Sequence, residues 1–436
     1  MTAQSRGRPA HFVAWLVAER IARGSVTVIS LAAVARHLAP SGFGVLNYSL
    51  ALIALATPLA QLGLEAILVR DLVRYPERTG ALLGTSFVVR LAVGSVLAAA
   101  LVCASHYSSV IGTAQPAIGP MSFILVSQAG EVADCWFRSR VQSRVVVVIR
   151  GSIIVAGAVA KLALVAAGAG IVAFAWVYAA EAAAFVAGII IYGFSGPEKL
   201  PPWTFDPSLA AKLCREGLGF SLAGFLAALA LRADQVAVAE YLGDAAAGLY
   251  YGALRLMELP VLVATATVAS LYPALALTRE DREVHASLET VFGIVSAIAW
   301  TTAIGVTVAG PWVIPIVLGN AYRSAWPVLA IQGWAALFYF SGIVRDNYLA
   351  LRGAPGTQAA AAGAALCVQV VSNFALVPRY GIIGAAMAFL LTQVFSAWVL
   401  PAMLPALRPC LPIQARAFLA PWRPSKWKGF IAAAGG

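Results

Sequence analysis

The chain has 436 residues, 61% of them hydrophobic and 11% charged, with a formal net charge of +11. A mean hydropathy of +0.84 excludes an ordinary soluble domain. The apolar residues come in runs near twenty, not in the alternating segments of about ten residues that a membrane β-barrel uses, so they read as helices crossing roughly 30 Å of hydrocarbon.

Twelve spans are predicted, at 12–35, 43–68, 80–104, 117–137, 146–167, 170–192, 216–240, 246–276, 287–318, 326–350, 356–377 and 382–406. Span 1 carries Glu19, Arg20 and Arg23 where a cleavable signal peptide would be uncharged, so it reads as a retained helix. The loop at about 105–116 has no charge, and external loops in general are short. A Pro-, Lys- and Glu-rich stretch, Gly196-Pro-Glu-Lys-Leu-Pro-Pro-Trp203, precedes span 7 and reads as a cytoplasmic linker. Span 9 is expected to break near Gly310-Pro311, because proline removes a helix hydrogen bond. The tail holding Trp422-Arg-Pro-Ser-Lys-Trp-Lys428 is expected to rest on the anionic inner leaflet.

Orientation follows from counting. With the N-terminus inside, nineteen Lys and Arg fall in cytoplasmic segments, while Arg36, Arg323 and Arg379 alone fall outside. That bias fixes both termini as cytoplasmic and accounts for the net charge without any nucleic-acid partner. Five scattered cysteines and four scattered histidines give no metal site, and no cofactor is indicated.

Eight basic residues remain inside the spans: Arg20, Arg23, Arg90, Arg150, Lys161, Arg232, Arg255 and Arg345. A charge at the membrane centre costs at least ~2.5–3.5 kcal/mol on insertion scales, so each needs a partner, a wet cavity or an interface. Arg150 and Arg345 lie about one turn from a cytoplasmic end and are expected to snorkel, and Lys161 to reach the outer interface likewise. Arg23, Arg90, Arg232 and Arg255 lie too deep for that. Glu19 with Arg23, and Arg255 with Glu258, share helix faces and are candidate internal ion pairs. Arg20 and Arg90 have no local acid left, and Asp234 points away from Arg232. Glu181 sits mid-span among alanines, where a desolvated carboxyl suits either a proton-loading group or a neutral hydrogen-bonded acid.

A cavity fed by Arg20, Arg23, Arg90, Arg232 and Arg255 selects an anionic passenger, because guanidinium forks pair with phosphate. Glu19, Glu181, Asp234 and Glu258 are the acids available for coupling or ion pairing. A drug-cation exporter would want the reverse sign. An enzyme on lipid-linked glycans would need a sizeable external loop with titratable groups, and none is present. A scaffold would bury these cations for no benefit.

Three stretches of the first half recur in the second. His37-Leu-Ala-Pro-Ser-Gly-Phe-Gly44 lines up with Tyr241-Leu-Gly-Asp-Ala-Ala-Ala-Gly248, Asp134–Arg140 with Asp346–Arg352, and Gly170-Ile-Val-Ala with Gly381-Ile-Ile-Gly. The shifts are 204, 212 and 211 residues. Near-constant shifts argue for two like lobes flanking a central site. The expected fold is an all-α membrane protein of about twelve helices in two pseudo-symmetric lobes. Its parts are an N-lobe at 1–195, a linker at 196–215, a C-lobe at 216–406 and a basic tail at 407–436.

Three motifs carry a family resemblance: Ala35-Arg-His-Leu-Ala-Pro-Ser-Gly-Phe-Gly44; Asp234 with Leu242-Gly243 and Gly248-Leu-Tyr250; and Leu271-Tyr-Pro-Ala-Leu275. With them, nearly the whole chain resembles the polysaccharide transporter family. These are the Wzx-like O-antigen and exopolysaccharide flippases, in the superfamily that includes MATE exporters and the lipid II flippase. The resemblance implies a V-shaped pair of lobes alternating between inward- and outward-facing states in a bacterial cytoplasmic membrane. The implied cargo is an undecaprenyl-pyrophosphate-linked oligosaccharide, with H+ or Na+ as coupling ion and glycan polymerases as possible partners. A MATE-like exporter of a drug or small anionic metabolite is the alternative.

Overall fold

The computed structural model describes residues 8–107, 111–140, 142–196, 199–277, 281–351, 355–408 and 410–418. The described residues are helical and connecting, with no strand among them. Among the described residues eight helices are long and apolar enough to cross a membrane, and three of these, within 26–74, 207–268 and 356–403, are divided by a joint. Their joints are single residues out of helical geometry: Ala39 (φ 54°, ψ 175°), Gly243 (φ 78°, ψ 179°) and Gly381 (φ 62°, ψ −141°). The remaining span runs through 115–139 as helix Gln115–Ser127, a 3-10 turn Gln128–Glu131 and helix Val132–Ser139. The helical segments on either side of these joints, with the broken helix at 115–139, follow the chain order of the expected spans.

The joints bear out the repeats at atomic level. Ala39 and Gly243 occupy equivalent positions under the 204-residue shift and share one backbone conformation. Gly381, the mate of Gly170, starts the last span as Gly170 starts the sixth.

By proximity the chain falls into two compact units, one of residues 29–248 and one of residues 1–28 with 249–436. In the first, a core of Leu68, Leu72, Leu82, Leu83, Trp136, Phe137, Phe185 and Ile189 closes one end of the helices. Leu200 completes it from the extended stretch 199–206. This stretch belongs to the segment expected as a linker, and it is tied down along the helix Thr79–Tyr107. Thr204 N–H donates to Gly80 O at 3.1 Å and Asp206 N–H to Thr85 Oγ1 at 3.0 Å. A Cβ on Gly80 or Gly84 would meet Pro202 O at 2.3 Å or Thr204 O at 2.4 Å, so these two glycines form the groove that receives the strap. Asp206 then caps the next helix, accepting from Ser208 N–H at 2.9 Å and Leu209 N–H at 3.2 Å. That helix begins at Pro207, nine residues before the predicted start of span 7.

In the second unit, the expected break at Gly310-Pro311 is absent: helix Asp281–Val317 runs through Pro311 and Pro315. Proline at 311 leaves Thr307 O without its helical donor. Trp326 supplies one, its Nε1–H donating to Thr307 O at 3.3 Å while its ring lies over Gly310. Residues 395–399 form a π-turn, and its free carbonyls are likewise taken by side chains. Arg345 donates to Ser396 O, and Gln414 Nε2 to Ala397 O at 3.2 Å. The helix Cys410–Phe418 docks through Phe418, whose ring meets Trp300, Phe338 and Trp398 at 5.6–5.9 Å.

Large apolar side chains cover the outside: Val96, Trp312, Ile316, Leu218 and Val371 are all more than 60% exposed. Helices apolar on the outside as well as the inside are solvated by lipid.

Candidate functional site

Among the described residues, Arg90 is the most buried of the predicted cations. On helix Thr79–Tyr107 it is 1% exposed, and its Nε and Nη2 have no hydrogen-bond partner among the described residues. One turn earlier on the same face, Ser86 Oγ is also buried and unpaired. The acids within its electrostatic reach are Glu131 and Glu65. Around them runs a charge network from four elements. Arg138 pairs with Glu65 and, at 2.6 Å, with Asp134. Arg150 Nη2 lies 4.0 Å from Asp134 Oδ2, with its guanidinium 3.9 Å above the Phe185 ring.

Sequence reasoning left Glu65, Glu131 and Asp134 out of the candidate site. The signal was present for two of them. Glu131 and Asp134 are three apart inside predicted span 4, on one helix face, and Asp134 stands four before Arg138. The 3-10 turn ending at Glu131 interrupts α-geometry where this acid enters the core.

Glu181 does not stand among alanines without a cation. Its Oε1 accepts from Lys161 Nζ at 2.8 Å, across from the preceding helix. The ammonium also lies 4.0 Å over the Tyr178 ring. Lys161 is 8% exposed and reaches inward rather than to the outer interface. Arg345, expected to snorkel, is 4% exposed and bonded to Asp346 and Ser396. In both cases a partner on the protein was available, and pairing removes the reason to reach for water.

The other predicted residues divide between the units. Arg255 pairs with Glu258 on one helix face, as the spacing requires. Arg232 is half-buried, and Asp234 is buried, its Oδ1 accepting from Gln235 N–H at 2.8 Å. The side chains of Glu19, Arg20 and Arg23 lie outside the described residues, as does the basic tail from 419 onward.

With this architecture established, comparison with known proteins is decisive on the family. The profile of the family described as "Polysaccharide biosynthesis protein" matches residues 33–327, about two thirds of the chain. The chain belongs to that family. Among curated proteins none matches it in sequence. Several solved structures share the fold of this polysaccharide biosynthesis protein. The lipid II flippase MurJ, in an inward closed conformation, superposes with a TM-score of 0.73 at 12% identity, covering 94% of this chain and 90% of its own. An inward-facing MATE multidrug resistance transporter of the MOP superfamily gives 0.66 at 15% identity, covering 91% and 95%. A MOP transporter from Pyrococcus furiosus, noted for the reverse polarity of its binding pocket, gives 0.62 at 14%, covering 95% and 97%.

Within the fold of these transporters, the polysaccharide biosynthesis protein keeps guanidinium groups at Arg90, Arg232 and Arg255 inside apolar helices. Such groups bind oxyanions by paired N–H donation. Among the described residues no cluster of three or more His, Cys, Asp and Glu is placed to hold a metal ion.

Proposed function

We propose that this multi-pass protein is a flippase that turns an undecaprenyl-pyrophosphate-linked oligosaccharide from the inner to the outer leaflet of the bacterial cytoplasmic membrane. The observation carrying the reading is the persistence of Arg90, Arg232 and Arg255 in helices otherwise apolar enough to span lipid, within a polysaccharide biosynthesis family. A pyrophosphate headgroup presents the paired oxyanions that guanidinium forks recognise. The polyprenyl chain needs no protein cover, since it can stay in the bilayer while the polar end crosses. Two like halves supply the alternating access such a crossing needs, with both termini on the cytoplasmic side. Arg20, Arg23, Arg90, Arg232 and Arg255 are the cations available to the headgroup in this scheme. Glu19, Asp234 and Glu258 are the acids available for ion pairing or coupling, and an H+ or Na+ gradient drives the cycle.

Purified protein in liposomes, given a fluorescent polyprenyl-pyrophosphate disaccharide, tests the reading. A membrane-impermeant quencher reports which leaflet holds the label. Wild type should equilibrate the label between leaflets, and Arg232→Ala should slow this at least tenfold while Arg232→Lys retains part of the rate. Failure of wild type to move the lipid, together with export of a cationic dye, would make the protein a MATE-like exporter instead.

A further inference from the structure

The 204-residue shift maps Pro40 onto Asp244 and Gly44 onto Gly248. These four residues meet. A Cβ built on Gly44 would lie 1.9 Å from Asp244 O and 2.9 Å from Gly248 N. A Cβ built on Gly248 would lie 1.8 Å from Pro40 O and 3.0 Å from Pro40 Cα. The first repeat therefore presents its glycine to the break of the second, and the second returns the same contact. Such a seam maps onto itself when the repeats are exchanged, as an isologous dimer interface does.

Both glycines are buried, and the flanking Phe43 and Ala247 are 0% exposed, so the centre of the seam excludes water. It is made of backbone against backbone. Small residues permit this approach, and dispersion, which fades steeply with separation, holds it. One polar bond is added. Tyr48, one turn beyond Gly44 and 1% exposed, donates its hydroxyl to the Glu240 carboxylate one turn before the Gly243 break. The repeat mates of this pair are Gly252 and Arg36, which differ in kind, so this bond breaks the symmetry of the seam.

We propose that the Gly44–Gly248 seam, latched by Tyr48 and Glu240, is the reversible closure between the repeats that parts each time cargo leaves. The proposal rests on the flippase reading, in which like halves must separate on one side at a time. A seam held mainly by the packing of small residues suits repeated opening, because dispersion contacts re-form without a directional partner. It also makes both positions intolerant of any side chain, alanine included.

The test uses Ala247→Cys as a reporter in the full-length chain with its native cysteines replaced by alanine. An impermeant maleimide is applied to intact cells. Closed protein should label slowly. Adding Gly44→Ala should speed labelling about tenfold or more, and Tyr48→Phe, which keeps the packing and removes one charge-assisted bond, should do so to a similar or smaller degree. Labelling unchanged in both variants, at normal membrane abundance, overturns the proposal. If Gly44→Ala fails to accumulate, Tyr48→Phe alone decides, by acceleration or by no change. Accelerated labelling in a protein that moves no lipid-linked glycan in liposomes would uphold the seam and remove the substrate assignment.

Discussion

Lys161 and Glu181 form an ion pair at 2.8 Å between the helices Ser143–Ala166 and Ile171–Ser195. Gly157, one turn before Lys161, makes room for it: a Cβ there would meet Glu181 Oε1 at 1.6 Å. The carboxylate is thus held by a cation and a missing side chain together. Removing one partner of a buried pair leaves the other charge uncompensated, at a cost of about 3–5 kcal/mol. Lys161→Met or Glu181→Leu should each lower the thermal midpoint in detergent and the membrane abundance. The double variant should recover most of the loss. A double variant no better than the worse single one would show that the two charges do not act as a pair.

Trp326 and Thr307 settle whether span 9 bends. Trp326→Phe keeps the ring over Gly310 but removes the N–H that satisfies Thr307 O. An acceptor left unpaired in an apolar setting costs about 1–3 kcal/mol. The variant should unfold at lower temperature, and Pro311→Ala in the same chain should restore stability by giving Thr307 O its helical donor back. No restoration would mean that the indole holds the helix by packing alone.

These two contacts also mark where sequence reasoning stops. The apolar helices were legible because each is a run near twenty apolar residues, and the joints at Ala39, Gly243 and Gly381 fall in stretches that the repeats had matched without marking a break. The Arg255–Glu258 pair was legible because it is local. Whether Lys161 turns outward or toward Glu181 depends on which faces of two helices meet, and helices apolar on all sides carry no periodicity that says so. The proline rule at 311 was sound chemistry applied without the donor, which arrives from the following span. Glu131 and Asp134 were readable from spacing, but their meeting with Arg90 and Arg150 was not.

Asp206 ties the docking of the strap to pH. Hydrogen bonds from the Ser208 hydroxyl and the Leu209 N–H hold its carboxyl below the usual carboxylate range. The folded form therefore prefers the ionised acid, and its contribution is present in full above the ordinary carboxylate pKa. It is lost as pH falls through the lowered value. Hydrogen exchange at Thr204 and Asp206 N–H, corrected for intrinsic rate, should accelerate on acidification in wild type. In Asp206→Ala it should be fast throughout and show no such acid limb. A limb of equal size in the variant would place the titrating group elsewhere.

Arg345 performs two jobs with one planar group. Its Nε and Nη2 hold Asp346 at 3.1 and 2.9 Å, while Nη1 takes the Ser396 carbonyl and, at 3.1 Å, its hydroxyl. The carbonyl is one that the π-turn at 395–399 leaves free of a regular α-helical bond. A lysine ammonium is a point charge and cannot span both sites, so Arg345→Lys should retain only one set of contacts. Hydrogen bonds to a charged group contribute about 1.5–3 kcal/mol each. Arg345→Lys should lower stability by roughly one such bond, and Arg345→Ala by more, since the acceptors are then left with no donor. The π-turn supplies the control. Deleting Phe395 should convert it to α-helix, free the Leu400 N–H that now bonds Phe395 O to serve the Ser396 carbonyl, and shrink the cost of Arg345→Ala. Thermal midpoints of the four proteins measure this directly, and an undiminished cost in the deletion background would show that Arg345 is needed for Asp346 rather than for the turn.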